Sequence, residues 1–224
     1  MPGNRKRRIV VLGTAGNSLD IAEAIELLGG GRSCAGFLDD DPAAAGREFL
    51  GLPVLGRLDE ASRLKGHSFV NGIGSTRSFR AKPSIIERTG LSADRFETVV
   101  HPTACVSKSA AIGRGVAVLQ HAFVGAKAAL GDHVIVLPSA IVSHDARVGS
   151  FGCIAGGTCL SGGVTVEDLC YVGSNAALRE GIRVGRGALV GMGSVVLSDI
   201  PPGETWAGVP ARRIRTSSGR APRA

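Results

Sequence analysis

The chain has 224 residues with 33 glycines but only seven Phe, one Trp and one Tyr, so it needs many close turns and a core built from aliphatic side chains. The absence of a Gly-X-Y period excludes collagen, 44% hydrophobic residues argue against disorder, and no run of 18 apolar residues offers a membrane-spanning helix. The net charge of +7 sits largely at the two ends, in Arg5, Lys6, Arg7 and Arg8 and in Arg212, Arg213, Arg215, Arg220 and Arg223. With few aromatic rings for base stacking, this reads as solvated ends, and no nucleic-acid partner is expected.

In chain order, Arg8 to Leu12 reads as a buried strand. The apolar stretch from Ile9 to Leu12 is too short for a secretory signal. A Gly13-Thr14-Ala15-Gly16-Asn17-Ser18 turn follows, then an amphipathic helix from about Leu19 to Leu28. A second strand, Ser33 to Leu38, ends in Asp39-Asp40-Asp41. A short third strand surrounds Val54, and a fourth, Ser68 to Ile73, ends in Gly74-Ser75-Thr76 before a helix to about Arg88. Alternating strands and helices predict a parallel sheet, whose ligands bind at the strands' carboxyl ends. Three such ends converge: 13–18, Asp39-Asp40 and 74–76. Glycines let a ligand approach the backbone, a helix N-terminus favours phosphate, and the acids suit a ribose hydroxyl or a base edge. A turn beside a solvated acidic loop is the plainer alternative. The second glycine of the dinucleotide fingerprint is missing, so a dinucleotide cofactor is not expected.

The second half is a strict repeat. Stepping by six from Val106 to Val196 meets sixteen positions, and all are Val, Ile or Leu. The residue two before each is small or of modest size, and the residue after is often glycine, as at Gly113, Gly125, Gly131, Gly149, Gly173, Gly185 and Gly191. Neither the period of a strand nor that of a helix is six. The pattern predicts a three-sided solenoid with three repeat units per coil, in which the aliphatic points inward and glycine eases the turn. Sixteen units make about five coils, about 25 Å of stacked strands at ~4.8 Å each.

Five cysteines, at 34, 105, 153, 159 and 170, form no CxxC pair. They suggest a reducing compartment, hence the cytoplasm, and act as small apolar fillers. Proton abstraction needs a histidine oriented by an acid, and His144-Asp145 is such a pair near a solenoid corner. Ala126 and Gly162, stacked below and above it, leave room for a ligand. His67, His101, His121 and His133 fit better as surface histidines. A metal-dependent hydratase would need converging histidines, but His121, His133 and His144 are not separated by whole coils, so no metal is expected. Cys153 could be a covalent nucleophile, but a buried filler thiol also explains it.

The repeat resembles the left-handed parallel β-helix of the hexapeptide-repeat acyltransferases over roughly residues 100–215. That prism also occurs in a carbonic-anhydrase-like family and in non-catalytic assembly subunits. The whole chain resembles the sugar O- or N-acetyltransferases of the sialic acid, bacillosamine and perosamine type. The matching stretches are 10–17, Phe37-Leu38-Asp39-Asp40, Gly72-Ile73-Gly74, His101-Pro102, Ser143-His144-Asp145 and Ala207-Gly208-Val209-Pro210-Ala211-Arg212. The resemblance implies a Rossmann-like α/β nucleotide-sugar domain (1–97), a β-helix acyltransferase domain (98–215) and a flexible basic tail (216–224). It implies His144 as general base and Asp145 as the acid that increases its basicity. It further implies substrate contacts at Ala15, Gly16, Asn17, Asp39, Asp40 and Gly74. Acetyl-CoA would lie between the prisms of a homotrimer, touching Cys153, Gly162, Ser174 and Met192. Acetyl would pass directly from acetyl-CoA to an amine or hydroxyl of a nucleotide-linked amino sugar. A sialic acid-type O-acetyltransferase and a non-catalytic sugar-nucleotide binder are the alternatives. Three departures bear on substrate and activity: Asn17 and Cys153 stand where the family usually has His, and Leu137 where it often has Asn.

Overall fold

The computed structural model describes residues 7–214, so the basic tail at 216–224 lies outside the described residues. The N-terminal part runs β1 (Arg7–Leu12), α1 (Gly16–Leu27), β2 (Arg32–Leu38), a hairpin of β3 (Glu48–Phe49) and β4 (Leu52–Pro53), β5 (His67–Asn71) and α2 (Lys82–Arg88). Its sheet has the order β2-β1-β5, all parallel. Ile9 to Leu12 in the central strand have no exposed surface, which explains their unbroken apolar run.

Two N-terminal expectations need correction. The strand expected around Val54 reduces to one parallel bridge with Phe37, because the preceding chain folds back as the β3-β4 hairpin. Helix α1 begins at Gly16, three residues before the expected start. Glycine, asparagine and serine are weak helix formers, so local sequence hides this turn. Position decides it: Ser18 packs against Gly72 at the end of β5, where a Cβ would collide with its side chain.

The solenoid follows the six-residue register closely. Sixteen two-residue strands, from Cys105–Val106 to Val195–Val196, each end on the expected aliphatic residue. Away from the two ends, each strand pairs with those one full coil before and after it: Val142 lies between Val124 and Leu160. All sixteen aliphatics are buried except Val106 and Ile112, which pack partly buried at the open end. Burying each such side chain contributes about 1.5–3 kcal/mol before the entropy of ordering it.

The prism is longer than the expected five coils. β6 (Val99–Val100) adds a unit before the repeat by pairing with Ala117–Val118. At the far end the register slips by two residues, so that Ile200 bridges Val184 and Trp206 faces Val190. The face that begins with β6 therefore carries seven parallel strands, and the others carry six and five. A final antiparallel strand, Ala211–Arg213, closes the first of these.

The reason for the glycines also changes. The left-handed turn residue falls every six positions from Gly115 to Gly193, with φ between 57° and 69°, and includes His121, Asp145 and Asn175. The glycines just after the aliphatics do not occupy it. They are small because the next coil passes close by: a Cβ on Gly173 would lie 2.6 Å from the Met192 nitrogen and 2.8 Å from the Val190 carbonyl oxygen.

The N-terminal part sits on the seven-strand face. Ala117 and Leu119 on that face share a core with Ile21 and Ile25 of α1, and Leu137 packs against it. His133 lies between Phe96 and Phe151, with ring centroids 4.6 and 5.0 Å away. His101 and His133 are thus buried, contrary to the surface positions expected for them. Arg80 donates from Nε to the Gly187 carbonyl at 2.9 Å, and Lys82 from Nζ to the Phe151 carbonyl at 3.0 Å.

Candidate functional site

At the carboxyl ends of β1 and β5, beside Asp39 after β2, lies a cleft of about 470 Å³. Gly13 to Ser18, Asp39, Gly72 to Thr76, Ser78 and Tyr171 line it. Of the expected substrate residues, Ala15, Gly16, Asn17, Asp39 and Gly74 meet here. The N-cap residue of α1 is Ala15, whose side chain makes no cap hydrogen bond, so the helix presents bare backbone donors. Such an end suits an anion. The Asp39 carboxylate anchors the loop by accepting from the Thr14 amide at 2.8 Å and the Thr14 hydroxyl at 2.6 Å.

Asp40 is turned away from this cleft. Its carboxylate accepts from the Leu58 amide at 3.1 Å and pairs with Arg88, and it lines a neighbouring cavity of about 390 Å³.

His144 and Asp145 occupy the corner between the strands Ile141–Val142 and Arg147–Val148. Those strands belong to the two faces that do not carry the N-terminal part, so this corner lies across the prism from the cleft. Neither residue lines the cleft in the same chain. The His144 Nδ1 is 2.9 Å from Asp145 Oδ2. An ionised carboxylate only accepts, so the neutral ring carries its proton on Nδ1 and leaves the Nε2 lone pair free. The hydrogen bond from His144, helped by Lys127 and Arg147, holds the Asp145 carboxyl below its ordinary range. Gly162 acts differently from the expectation. It makes room for the imidazole itself, since a Cβ there would lie 2.5 Å from Cε1 and 2.6 Å from Nε2.

The four expected coenzyme contacts are not gathered in one chain. Gly162 is in the coil stacked on His144, and Ser174 and Met192 stack at another corner, with Met192 81% exposed. Cys153 is on the seven-strand face with no exposed surface, its Sγ 3.5 Å from the Gly74 carbonyl oxygen. It is therefore part of the junction between the two halves and not of an open groove. Burial pushes its thiol pKa up and that of the Lys82 amine, also buried there, down. Among the described residues, no three His, Cys, Asp or Glu side chains are placed to hold one metal ion. No helix among them is long and apolar enough to cross a membrane.

Sequence reasoning placed Thr14, Ser75 and Thr76 at the converging strand ends but missed Ser78 and Tyr171. A signal for Tyr171 was present. Ala117, Ile135, Cys153, Tyr171 and Leu189, at outward positions of one face, are apolar or aromatic, which marks a covered face.

Comparison with known proteins places this geometry. Residues 163–198 match the family described as the hexapeptide repeat of succinyl-transferase. Over 53 residues the chain is 45% identical to a 2,3,4,5-tetrahydropyridine-2,6-dicarboxylate N-acetyltransferase of Staphylococcus aureus, a match covering 24% of this chain and 22% of that protein. The chain thus spans about a fifth of the length of that curated relative. The acetyltransferase domain of PglB from Neisseria gonorrhoeae FA1090 is 32% identical, with a TM-score of 0.82 over 93% of this chain and 100% of that one. The same domain has been solved in complex with acetyl coenzyme A. PerB from Caulobacter crescentus, solved in complex with CoA and GDP-perosamine, is 31% identical, with a TM-score of 0.79 over 92% of this chain and 96% of that one. With these matches spanning both halves at over 30% identity, the chain belongs to the hexapeptide-repeat sugar acetyltransferases of the bacillosamine and perosamine type.

Proposed function

We propose that this protein transfers an acetyl group from acetyl-CoA to the amine of a nucleotide-linked amino sugar, with His144 as general base. The observation that carries the reading is the 2.9 Å contact between His144 Nδ1 and Asp145, which leaves Nε2 free at an exposed corner. The sugar nitrogen attacks the thioester carbonyl carbon and His144 Nε2 takes its proton. As the C–S bond breaks, the same proton returns to the coenzyme A sulfur, leaving an amide and a free thiol. Asp145 orients the ring and stabilises the imidazolium.

The nucleotide end of the substrate fits the cleft: Asp39 after β2 is suited to the ribose or base, and the bare N-terminus of α1 to the diphosphate. PerB, a relative at 31% identity, is solved with GDP-perosamine and CoA, which supports this substrate class.

The working unit is a homotrimer with sites between chains. Within one chain the cleft and His144 lie on opposite sides of the prism, so a neighbouring copy must supply the imidazole. The face before the His144 corner supports this. Cys105, Phe123, Ile141, Cys159, Ala177 and Val195 form an apolar ladder along it, with Phe123 40% and Ile141 39% exposed. Five free cysteines fit a reducing, cytoplasmic setting.

The test is thiol release from acetyl-CoA with UDP-, dTDP- and GDP-linked amino sugars, with sialic acids as the O-acetylation arm, for wild type and His144→Ala. Transfer only to amino sugars, lost by at least a hundredfold in the variant, is the expected result. No release with any acceptor, or an unaffected variant, overturns the reading. The paired change Phe123→Glu with Ile141→Glu should give particles of one 22.9 kDa chain and no transfer, although His144 is intact.

A further inference from the structure

The cleft is built almost wholly from the N-terminal half, with one exception. Tyr171 is the single residue of the solenoid that lines it. Its strand is locked in the parallel ladder between Cys153 and Leu189. Its ring packs on Phe79, with centroids 5.9 Å apart and planes at 57°. Phe79 is itself 2% exposed and capped by the Arg80 guanidinium, 4.7 Å from its centroid. Both halves of the protein therefore fix the ring. Its hydroxyl makes no hydrogen bond among the described residues and is not one of the sealed polar atoms, so it opens on the cleft where a ligand can reach it.

The sheet order says which end of a ligand this hydroxyl meets. β2, β1 and β5 lie side by side in that order, so Asp39 after β2 and the Gly74 to Ser78 segment after β5 flank the cleft on opposite sides. The N-terminus of α1 follows β1 and stands between them. A nucleotide-linked sugar with its ribose or base at Asp39 and its diphosphate at α1 must place its sugar beside Tyr171. We infer that Tyr171 is a specificity-determining residue, donating its hydroxyl proton to an oxygen of the sugar. This rests on the reading of the cleft as a nucleotide-sugar site.

The experiment compares wild type with Tyr171→Phe, which keeps the ring and removes only the donor. Calorimetric affinities are measured for the nucleotide amino sugar that wild type binds best and for the same nucleoside diphosphate without the sugar. The variant should bind the nucleotide sugar about tenfold more weakly and the nucleoside diphosphate within about twofold of wild type, with the KM for acetyl-CoA unchanged. An equal loss on both ligands moves the contact to the nucleotide and overturns the inference. So does no loss on either, including the case where only the melting temperature falls, which would assign Tyr171 to packing. Wild type binding none of the nucleotide sugars overturns the function itself and this inference with it. An unaffected variant of an active enzyme overturns the inference alone.

Discussion

Gly162→Ala separates placement of the general base from its chemistry. The added Cβ would lie 2.5 Å from Cε1 and 2.6 Å from Nε2 of His144. Ordinary carbon contacts begin near 3.5 Å, so the ring must retreat by about 1 Å. The His144 side chain is 69% exposed and free to swing outward, so stability should change by less than about 1 kcal/mol. The swing breaks the 2.9 Å contact with Asp145 and moves Nε2 off its line of attack. A 1 Å misplacement of a catalytic group costs roughly a hundredfold in rate. The assay is steady-state thiol release from acetyl-CoA beside a calorimetric melt of the same preparation. The expected outcome is kcat down about a hundredfold with the melting temperature nearly unchanged. Activity within threefold of wild type would refute the placement argument. A melting temperature falling in step with activity would show that the glycine serves the fold.

Asp145→Asn should lower kcat at least tenfold in the same assay while leaving the melt unchanged, because Asn tolerates the φ of 60° but cannot stabilise an imidazolium. Gly173→Ala should instead destabilise by about 1–3 kcal/mol in a denaturant titration, since the added Cβ meets the backbone of the next coil and nothing flexible can yield. Alkaline pH should destabilise the protein through its buried thiols, Cys34 and Cys170 among them. Burial pushes Cys34 and Cys170 up to about 11. Thiols that titrate higher folded than unfolded keep their full stabilisation below about pH 8.5–9 and lose it as pH rises toward 11, by about 3 kcal/mol each. Cys34→Ala with Cys170→Ala should flatten that slope in melts taken from pH 8 to 11. An unchanged slope would assign it to other groups.

Half of the fold and half of the site could be read from the residues in order. From Val99 to Val196 each solenoid strand meets its partners 18 residues away in the chain, so one periodic pattern encodes strands, faces and core together. Even the corner of His144 and Asp145 follows from counting. The register slip after Val196 escaped because it breaks that period. The glycines after the aliphatics were visible, but their cause was not: only the coil stacked above each one shows that it is space, not φ, that requires them. The N-terminal strands and the loops at their carboxyl ends were legible from local pattern. The onset of α1 at Gly16 was not, because it required Gly72, far along the chain, to leave room for Ser18.

The junction was beyond reach of any pattern, because its partners share no fixed spacing. Lys82 meets Phe151, Tyr171 meets Phe79, and Cys153 meets the carbonyl of Gly74. The sequence alone determined an aliphatic prism and an α/β unit with a polar cleft. Only the tertiary structure decided which face of the prism that unit covers. That choice buries Cys153, exposes Tyr171 to the cleft and leaves His144 on the far side, and it is made by side-chain packing at irregular separations, which periodicity cannot encode.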